Sequence, residues 1–231
     1  GPCSIENSQQ CEKVASMCEN NHLHFFRGGA YKMRTSPYDF QGLGEEGLKI
    51  LENTCKKHHL YSVSEIVSTD DIDKFKDVDI IQIGARNMQN YDLLKKVAAL
   101  HKVVLLKRGF GAKINEFLYS AEYLMLYGAE YVILCERGIR TFDDETRFTL
   151  DLGMVSYLKT VTYLPIIVDP SHASGRRDLV ESMTMAAMAG GAHGAIIEVH
   201  PDPDKALSDG KQSLTLEGFE ILKKKLDKLG K

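Results

Sequence analysis

A cationic loop that follows a short apolar segment is the first part of the chain whose residue types suggest chemistry. Phe25 and Phe26 lead into the loop, and the glycine pair at 28–29 allows its backbone to turn sharply. The loop then carries three cations and two hydroxyls, namely Arg27, Lys32, Arg34, Thr35 and Ser36. Guanidinium, ammonium and hydroxyl groups are all donors to phosphate oxygens, so the loop predicts a phosphate-binding site.

More cations follow other apolar segments, either directly or within one loop. They are Arg86, Lys107, Arg108, Arg137 and Arg140. The alternative, that these side chains only keep strand ends hydrated, is weakened because the chain as a whole has a net charge of −3. Converging cations repel one another unless an anion binds among them. The set therefore predicts a site for two phosphates, or for a phosphate and a carboxylate.

A second set of residues has the side chains that bind transition metals. Cys3 lies where a first strand would end, His172 follows a later strand, Glu198 lies within the last, and Asp209 is in the loop beyond it. Thiolate, imidazole and carboxylate ligands suit Mn²⁺, Fe²⁺ or Zn²⁺. Spacing alone favours a buried thiol, a core histidine and two ordinary acids. A metal site requires a fold that brings the first strand next to the last two.

Alternating strand and helix patterns predict such a fold. The predicted strands are 23–27, 60–65, 79–83, 103–106, 131–134, 164–168 and 195–199, and the predicted helices are 5–20, 47–58, 70–75, 91–100, 114–127, 146–160, 179–189 and 216–229. Short apolar strands alternating with helices predict parallel βαβ units. With a first strand expected before Gly1, the pattern predicts an α/β fold, a (β/α)8 TIM barrel with its first strand largely missing from the sequence, whose catalytic groups lie at the C-terminal strand ends. A doubly wound sheet is the alternative, but it concentrates binding near one switch point, whereas charged residues here follow nearly every strand.

Composition sets the class of protein. With 231 residues, 43% of them hydrophobic and 26% charged, the chain predicts a single catalytic barrel domain over 1–231 with no regulatory domain visible. The net charge gives no reason to expect nucleic acid or a membrane surface as a partner. Five cysteines without a Cys-x-x-Cys pair are typical of a reduced, cytoplasmic protein, and no segment has the pattern of a signal peptide or a membrane span.

Several segments resemble 3-deoxy-D-arabino-heptulosonate 7-phosphate (DAHP) synthase, in particular its short bacterial and archaeal (type I beta) subgroup. They are 1–4, 27–44, 82–87, 106–109, 135–140, 168–175 and 197–210. The resemblance implies a metal-dependent, aldol-like condensation of phosphoenolpyruvate with D-erythrose 4-phosphate, which gives DAHP and phosphate. This is the first step of the shikimate pathway to chorismate and the aromatic amino acids. A homo-oligomer, either a dimer or a tetramer, is expected.

The resemblance also implies roles for individual residues. The metal ligands would be Cys3, His172, Glu198 and Asp209, and the phosphoenolpyruvate ligands would be Arg27, Lys32, Arg86, Lys107 and Arg137. Arg34 and Thr35, with Ser36, would bind the phosphate of erythrose 4-phosphate. Lys32, Cys3 and His172 form the predicted catalytic set. In that set Lys32 lies between the two substrates and donates a proton to the new hydroxyl.

Two positions depart from the family pattern. Met33 stands where the family's Lys-Pro-Arg-Thr motif has proline. Proline would restrict φ, so we predict a looser site for the erythrose phosphate and a higher KM. Phe110 stands where the Lys-Arg-Gly-Met motif has methionine and predicts a change in packing.

Two other functions fit part of the pattern. A 3-deoxy-D-manno-octulosonate 8-phosphate synthase shares the barrel and phosphoenolpyruvate but takes arabinose 5-phosphate. Its family carries an Asn-rich segment where this chain has 32–36, which argues against it. A catalytically silent barrel acting as a binding subunit is the other alternative, and it is disfavoured because every candidate ligand and cation is present.

Overall fold

Among residues 1–230, seven parallel strands form one sheet, in the order in which they occur along the chain. The computed structural model describes residues 1–230. The strands are β1 (Phe25–Arg27), β2 (Tyr61–Ile66), β3 (Ile80–Ile83), β4 (Val103–Lys107), β5 (Tyr131–Glu136), β6 (Ile166–Val168) and β7 (Gly194–Ala195). Each strand pairs with the next, so that Val63, Ile80 and Val103 lie side by side across β2, β3 and β4. The predicted parallel βαβ arrangement is confirmed.

Within the described part of the chain, eight α-helices connect the strands or follow the sheet. They are α1 (Ser8–Asn20), α2 (Glu45–Lys57), α3 (Tyr91–Ala98), α4 (Ile114–Leu126), α5 (Leu152–Val161), α6 (Pro170–Ser174), α7 (Arg177–Ala189) and α8 (Leu216–Asp227). The segment predicted as a helix over 70–75 forms 3₁₀ turns at Thr69–Phe75. Among the residues described, no helix is long and apolar enough to cross a membrane.

The predicted start of the helix at 146 is wrong, because α5 begins only at Leu152. The preceding residues form a loop in which Thr149 and Ile139 exchange backbone hydrogen bonds. Asp151 then caps the helix by accepting a hydrogen bond from Met154 N at 2.9 Å. The short helix α6, which carries His172, was not predicted either.

The first residues of the chain lie between the two outer strands of the sheet. Val199 N donates to Gly1 O at 3.1 Å on one side, and Gly29 N donates to Cys3 O at 3.3 Å on the other. Gly1–Cys3 thus occupies the position that the first strand has in an eight-stranded barrel, which confirms the predicted barrel architecture. The strand predicted over 195–199 is regular only at Gly194–Ala195, because its later residues bond to three different segments: Val168, Gly1 and Leu214.

Apolar side chains fill the space inside the sheet and around it. The interior holds a small cluster that includes Val63, Leu105 and Cys135. The face outside the sheet packs against the helices, and the cysteines of α1 and α2 are buried there, as expected for packing residues. This packing holds the strand ends, and the side chains that follow them, in fixed positions.

A histidine joins α1 to α2. The ring of His58, just after α2, lies between Glu19 Oε2 at 2.7 Å and Glu12 Oε2 at 3.1 Å. Burial lowers the pKa of His58, but the hydrogen bonds to both glutamates outweigh it, so the pKa is raised above 6.5.

Candidate active site

Four side chains of the types that can bind metals lie together at one end of the barrel. One ligand atom from each of Cys3, His172, Glu198 and Asp209 can be chosen so that all four lie within 4.8 Å of one another. Cys3 Sγ is 3.1 Å from Asp209 Oδ2, and His172 Nε2 is 3.3 Å from Glu198 Oε1. The barrel thus brings together residues that are up to 206 positions apart.

Local structure explains how each ligand reaches this point. Cys3 belongs to the segment between β1 and residue 199, and Glu198 lies in the irregular segment after β7. His172 lies in α6, which begins at Pro170. Asp209 has a left-handed backbone with φ of 50°, which is uncommon for a residue other than glycine. Hydrogen bonds from Gln212 N and the Ser213 hydroxyl to Asp209 O hold that conformation.

The four-residue set fits a first-row transition metal. Ligand atoms at 2.0–2.3 Å from a tetrahedral ion are separated by roughly 3.3–3.8 Å. The separations here are close to that range: 3.1 Å for Cys3 with Asp209, and 3.3 Å and 3.6 Å for His172 with Glu198 and Asp209. His172 Nδ1 lies 2.8 Å from Asp169 Oδ2, so its Nε2 is left to face the cluster. A histidine held by a carboxylate in this way is a common arrangement at metal sites.

Burial and neighbouring charges shape the protonation of the cluster. Burial would raise the pKa of Glu198, but His172 and Arg27 outweigh it, and the pKa is lowered. Burial, with the added charge of Glu198, raises the pKa of Cys3 to about 12. Burial also lowers the pKa of His172, which favours the neutral imidazole that binds metals.

Arg27 lies beneath the cluster and is not on the pocket wall. Its Nη2 is 3.0 Å from Glu198 Oε1, and its Nη1 donates to the carbonyls of Pro2 and Cys3. It therefore holds a candidate ligand and the backbone that carries another. The contact with phosphoenolpyruvate that the resemblance implies for Arg27 stays a prediction.

Lys32 lies between the cluster and the adjoining pocket. Its Nζ is 2.9 Å from Cys3 Sγ and 3.2 Å from Cys3 O, and the side chain lines the pocket. Burial lowers the pKa of Lys32, but the charges of Cys3 and Glu198 outweigh it and the pKa is raised. The side chain is thus an ammonium group that faces both sites.

The pocket beside the cluster is lined mainly by cations. They are Lys32, Arg34, Arg86, Lys107, Arg137 and Arg147, with Asp39, Glu65 and Asp209 as the acidic members of the wall. His172 also lines the pocket, so the pocket and the metal-ligand set are continuous. Of the predicted ligands for phosphoenolpyruvate, four lie on this wall. Such a pocket can bind a small dianion or trianion.

Lys107 is paired within the site. Its Nζ lies 2.5 Å from Asp169 Oδ2, and that same oxygen contacts the His172 ring. The Lys107 side chain is 5% exposed and Asp169 is fully buried. Asp169 therefore connects a pocket cation with a candidate metal ligand.

Arg86 and Arg137 are held by aromatic rings. Their Cζ atoms lie 5.4 Å and 4.7 Å from the centroid of the Phe110 ring, which itself lines the pocket. Arg137 is buried, and its Nη1 has no hydrogen-bond partner. A buried guanidinium N–H without a partner beside a cationic pocket marks a place where an anion can accept a hydrogen bond.

Two of the three predicted ligands for the phosphate of erythrose 4-phosphate lie in the pocket. Arg34 and Thr35 line the pocket, as does Met33, whereas Ser36 does not. The Ser36 hydroxyl instead accepts a hydrogen bond from Tyr38 N at 3.3 Å, within its own loop. Arg34 Nη2 is 3.2 Å from Asp39 Oδ2, so a carboxylate already occupies part of the predicted phosphate site.

Five side chains of the site were not assigned a role from the sequence: Asp39, Glu65, Phe110, Arg147 and Asp169. Arg147 has the right charge, but the segment that carries it was expected to be helical. Asp169 begins the Asp-Pro-Ser-His segment, and an aspartate three residues before a candidate ligand histidine is a usable signal for a cap that also orients the ring.

Comparison with known proteins places these features in a family. A model of the DAHP synthetase I family matches residues 1–231. The phospho-2-dehydro-3-deoxyheptonate aldolase of Thermotoga maritima is 53% identical over 230 residues, which are 99% of this chain and 68% of that protein. The 2-dehydro-3-deoxyphosphooctonate aldolase of Geobacter sulfurreducens is 31% identical over 98% of this chain and 89% of its own length.

Solved structures agree with the sequence comparison. The crystal structure of the Thermotoga maritima DAHP synthase superposes with a TM-score of 0.96 at 53% identity, covering 99% of this chain and 67% of that one. A truncated form of the 3-deoxy-D-arabino-heptulosonate 7-phosphate synthase from the same organism gives 0.92 at 49% identity, covering 99% and 84%. With the barrel, the four-residue ligand set and the cationic pocket in place, the chain belongs to the DAHP synthetase I family.

Proposed function

We propose that the cation-lined pocket is where this chain, an enzyme of the DAHP synthase family, condenses phosphoenolpyruvate with erythrose 4-phosphate. The observation that carries the proposal is the continuity of the pocket with the Cys3, His172, Glu198 and Asp209 set. In the reaction, C3 of phosphoenolpyruvate bonds to the aldehyde carbon of the sugar phosphate. Water adds at C2, and phosphate leaves as its C–O bond breaks.

Phosphoenolpyruvate is assigned to the part of the pocket beside Arg137 and the metal-ligand set. Lys32, Arg86, Lys107 and Arg137 lie on its wall, and the unpartnered Nη1 of Arg137 supports direct contact with the anion. Two guanidinium groups and two ammonium groups match a phosphate and a carboxylate on one small molecule. Held by several contacts at once, the enol carbon is oriented for attack.

Arg27 is assigned a supporting role. Its ion pair with Glu198 is buried on both sides, with side chains 6% and 0% exposed. Without a cation there, Glu198 would be a buried carboxylate facing the Asp209 carboxylate, which is costly. Arg27 thus keeps Glu198 ionised, and its role as a direct ligand of phosphoenolpyruvate is the weaker part of the assignment.

A divalent metal, the cofactor class of this family, is assigned to Cys3, His172, Glu198 and Asp209. The mixed sulfur, nitrogen and oxygen donors favour Mn²⁺, Fe²⁺ or Zn²⁺ over a hard ion such as Mg²⁺. When bound, the ion supplies Lewis acidity for the aldehyde of the second substrate. Asp169 keeps the His172 ring oriented, and Arg27 keeps Glu198 charged.

Lys32 is assigned the proton donor to the new hydroxyl. Its ammonium group lies against Cys3 Sγ and also lines the pocket, so it is within reach of both substrates. Lys32→Ala should lose most of its turnover, because the general acid and a phosphoenolpyruvate contact are both removed. Near-native turnover of this variant would refute the role, and Lys13→Ala, an exposed lysine of α1, is the matched control.

Erythrose 4-phosphate is assigned to the part of the pocket that the loop after β1 lines. Arg34 and Thr35 lie on the wall there and supply a guanidinium and a hydroxyl to its phosphate. Ser36 is the less supported member of this set, because its hydroxyl faces the backbone of its own loop. The higher identity to the heptonate aldolase, 53% against 31% for the octonate aldolase, favours the four-carbon sugar.

The proposal also covers the organisation of the protein. Residues 1–231 are assigned to one catalytic domain, which the single sheet and the extent of the family match support. A homo-oligomer and a cytoplasmic location belong to the proposal as well. Size-exclusion chromatography with light scattering tests the first of these.

One assay separates the proposal from its rivals. The loss of phosphoenolpyruvate absorbance is followed with erythrose 4-phosphate and, in parallel, with arabinose 5-phosphate. The expected result is turnover with erythrose 4-phosphate that chelator abolishes and Mn²⁺, Fe²⁺ or Zn²⁺ restores. Preference for arabinose 5-phosphate would favour an octulosonate synthase. No metal-dependent release of phosphate with either sugar would favour a silent barrel.

A further inference from the structure

Two phenylalanine rings from different loops form a stacked pair at the edge of the pocket. Phe110, after β4, and Phe148, before α5, have ring centroids 4.8 Å apart and planes within 4°. Backbone hydrogen bonds fix both loops, since Phe110 O accepts from Arg140 N at 2.9 Å and Phe148 N donates to Ala173 O at 2.8 Å. The pair is therefore a fixed element of the site.

Four guanidinium groups lie around this pair. Arg86, Arg137 and Arg140 have Cζ 5.4 Å, 4.7 Å and 5.5 Å from the Phe110 centroid. Arg137 and Arg147 lie 4.3 Å and 5.7 Å from the Phe148 centroid. Arg137 is the one that contacts both rings, and it is also the buried one.

Three of these four arginines are held without carboxylates, whereas Arg147 Nη1 lies 3.6 Å from Asp209 Oδ1. Within residues 1–230, no carboxylate oxygen lies within 4.0 Å of the guanidinium nitrogens of Arg86, Arg137 or Arg140. Arg34, at the other side of the pocket, is by contrast paired with Asp39. An incoming anion must compete with Asp39 for Arg34 but has no such competitor at Arg137.

An aromatic ring and a carboxylate use different parts of a guanidinium group. A carboxylate binds its N–H edge, whereas a ring face stacks on its plane and leaves the N–H groups free to bind an anion. The buried, unpartnered Nη1 of Arg137 is what this arrangement leaves. A group held in its binding orientation before the ligand arrives loses less conformational entropy on binding.

We propose that Phe110, acting with Phe148, is a positioning residue that holds the N–H edge of Arg137, and more weakly of Arg86, open toward phosphoenolpyruvate. The inference rests on the proposed function for the identity of the anion. Phe110 does not act on the reacting atoms itself.

Variants at 110 separate the ring face from mere packing. Phe110→Leu keeps apolar volume and removes the ring face, whereas Phe110→Tyr keeps the ring. Isothermal titration of the metal-loaded protein with phosphoenolpyruvate, without sugar phosphate, should give a Kd raised about fivefold to tenfold in Phe110→Leu, as expected for losing one or two partly desolvated cation–π contacts. Phe110→Tyr should stay within about twofold of the wild type, because its ring presents the same face.

Further readouts exclude a purely structural effect. The KM for erythrose 4-phosphate and the melting temperature of Phe110→Leu should match the wild type. Phe110→Met, which also keeps apolar volume without a ring, should likewise raise the Kd for phosphoenolpyruvate, and it serves as the second variant if Phe110→Leu folds poorly. Phe142→Ala is the matched control, because that ring is fully exposed and close in sequence to Phe148.

The outcomes distinguish failure of the positioning role of Phe110 from failure of the proposed function. Wild-type affinity in Phe110→Leu, or an equal loss in Phe110→Tyr, would overturn the role of the ring. If the wild type binds no phosphoenolpyruvate, the proposed function fails instead, and the same variants are titrated with inorganic phosphate. Weaker phosphate binding in Phe110→Leu would then support the positioning role, and unchanged binding would overturn it.

Discussion

Asp169 connects the two halves of the site, and replacing it by alanine should damage both. One of its oxygens, Oδ2, contacts His172 Nδ1 at 2.8 Å and Lys107 Nζ at 2.5 Å, and the other accepts a hydrogen bond from His172 N at 2.9 Å. The charges and hydrogen bonds of His172 and Lys107 overcome burial and lower the pKa of Asp169 well below 3.8, so the group is a carboxylate. Asp169→Ala removes the ring contact, the ion pair and the cap together.

The expected sizes of these effects differ. Removing the partner that orients a ligand histidine typically costs about 10- to 100-fold in metal affinity. Leaving the buried Lys107 ammonium without its charged partner costs about 3–5 kcal/mol, and the lost helix cap adds about 1 kcal/mol. Asp169→Asn should lie in between, because its single amide oxygen can keep either the ring contact or the cap.

Mn²⁺ titration of the metal-free protein measures the first effect, and urea unfolding measures the second. Both are done below the melting temperature of the variant, so that a change in affinity is not a change in the folded fraction. Asp73→Ala, at an aspartate whose side chain is 86% exposed, is the matched control. The reasoning is refuted if Asp169→Ala binds Mn²⁺ within about twofold of the wild type, because the loss expected for an orienting partner is at least tenfold.

Three further expectations concern single residues. Met33→Pro should lower the KM for erythrose 4-phosphate about twofold to fivefold, because proline stiffens the loop. The substitution is tolerated because Met33 N donates no hydrogen bond among the described residues. An unchanged KM would contradict this expectation. Asp39→Asn should lower the same KM about twofold to fivefold by freeing Arg34, with the KM for phosphoenolpyruvate unchanged, and a rise would mean that Asp39 holds Arg34 in place. The stability that His58 contributes should be fully present below pH 6.5, its ordinary pKa, and lost as pH rises through its raised pKa in the folded protein. Urea unfolding of the wild type and His58→Gln should therefore differ more at the acidic end of that range than at the alkaline end. A pH-independent difference would contradict a stabilising role for the contacts of His58 with Glu12 and Glu19.

Much of the site could be predicted because parallel strands place their carboxyl ends together. Arg86, Lys107 and Arg137 each follow a strand, and the alternating pattern is sufficient to bring them to one end of a barrel. Closure of the barrel explains why Cys3 meets Glu198 across the whole length of the chain. Both features depend only on strand order, which can be predicted from the pattern of apolar segments.

Contacts among side chains could be predicted less well from the sequence. Nothing local indicates that Arg27 turns away from the pocket to pair with Glu198, 171 positions later. The local pattern predicts a helix from residue 146. The residues at 146–151 form a loop instead, because the pairing of Thr149 with Ile139 is a tertiary contact that overrides the local preference. Phe110 was expected to affect packing only, since stacking on Phe148 and on the arginines depends on where two loops cross.

The charges of the site follow one rule once these contacts are known. Each buried carboxylate beside the cluster neutralises a buried cation, Glu198 with Arg27 and Asp169 with Lys107. Arg137 instead rests on a ring and keeps a free N–H group, while Arg34 is paired with Asp39. Positive potential is thus concentrated where no carboxylate reaches, although the chain as a whole is acidic. Substitutions at 110 should consequently act on phosphoenolpyruvate alone, and substitutions at 33 or 39 on the sugar phosphate alone.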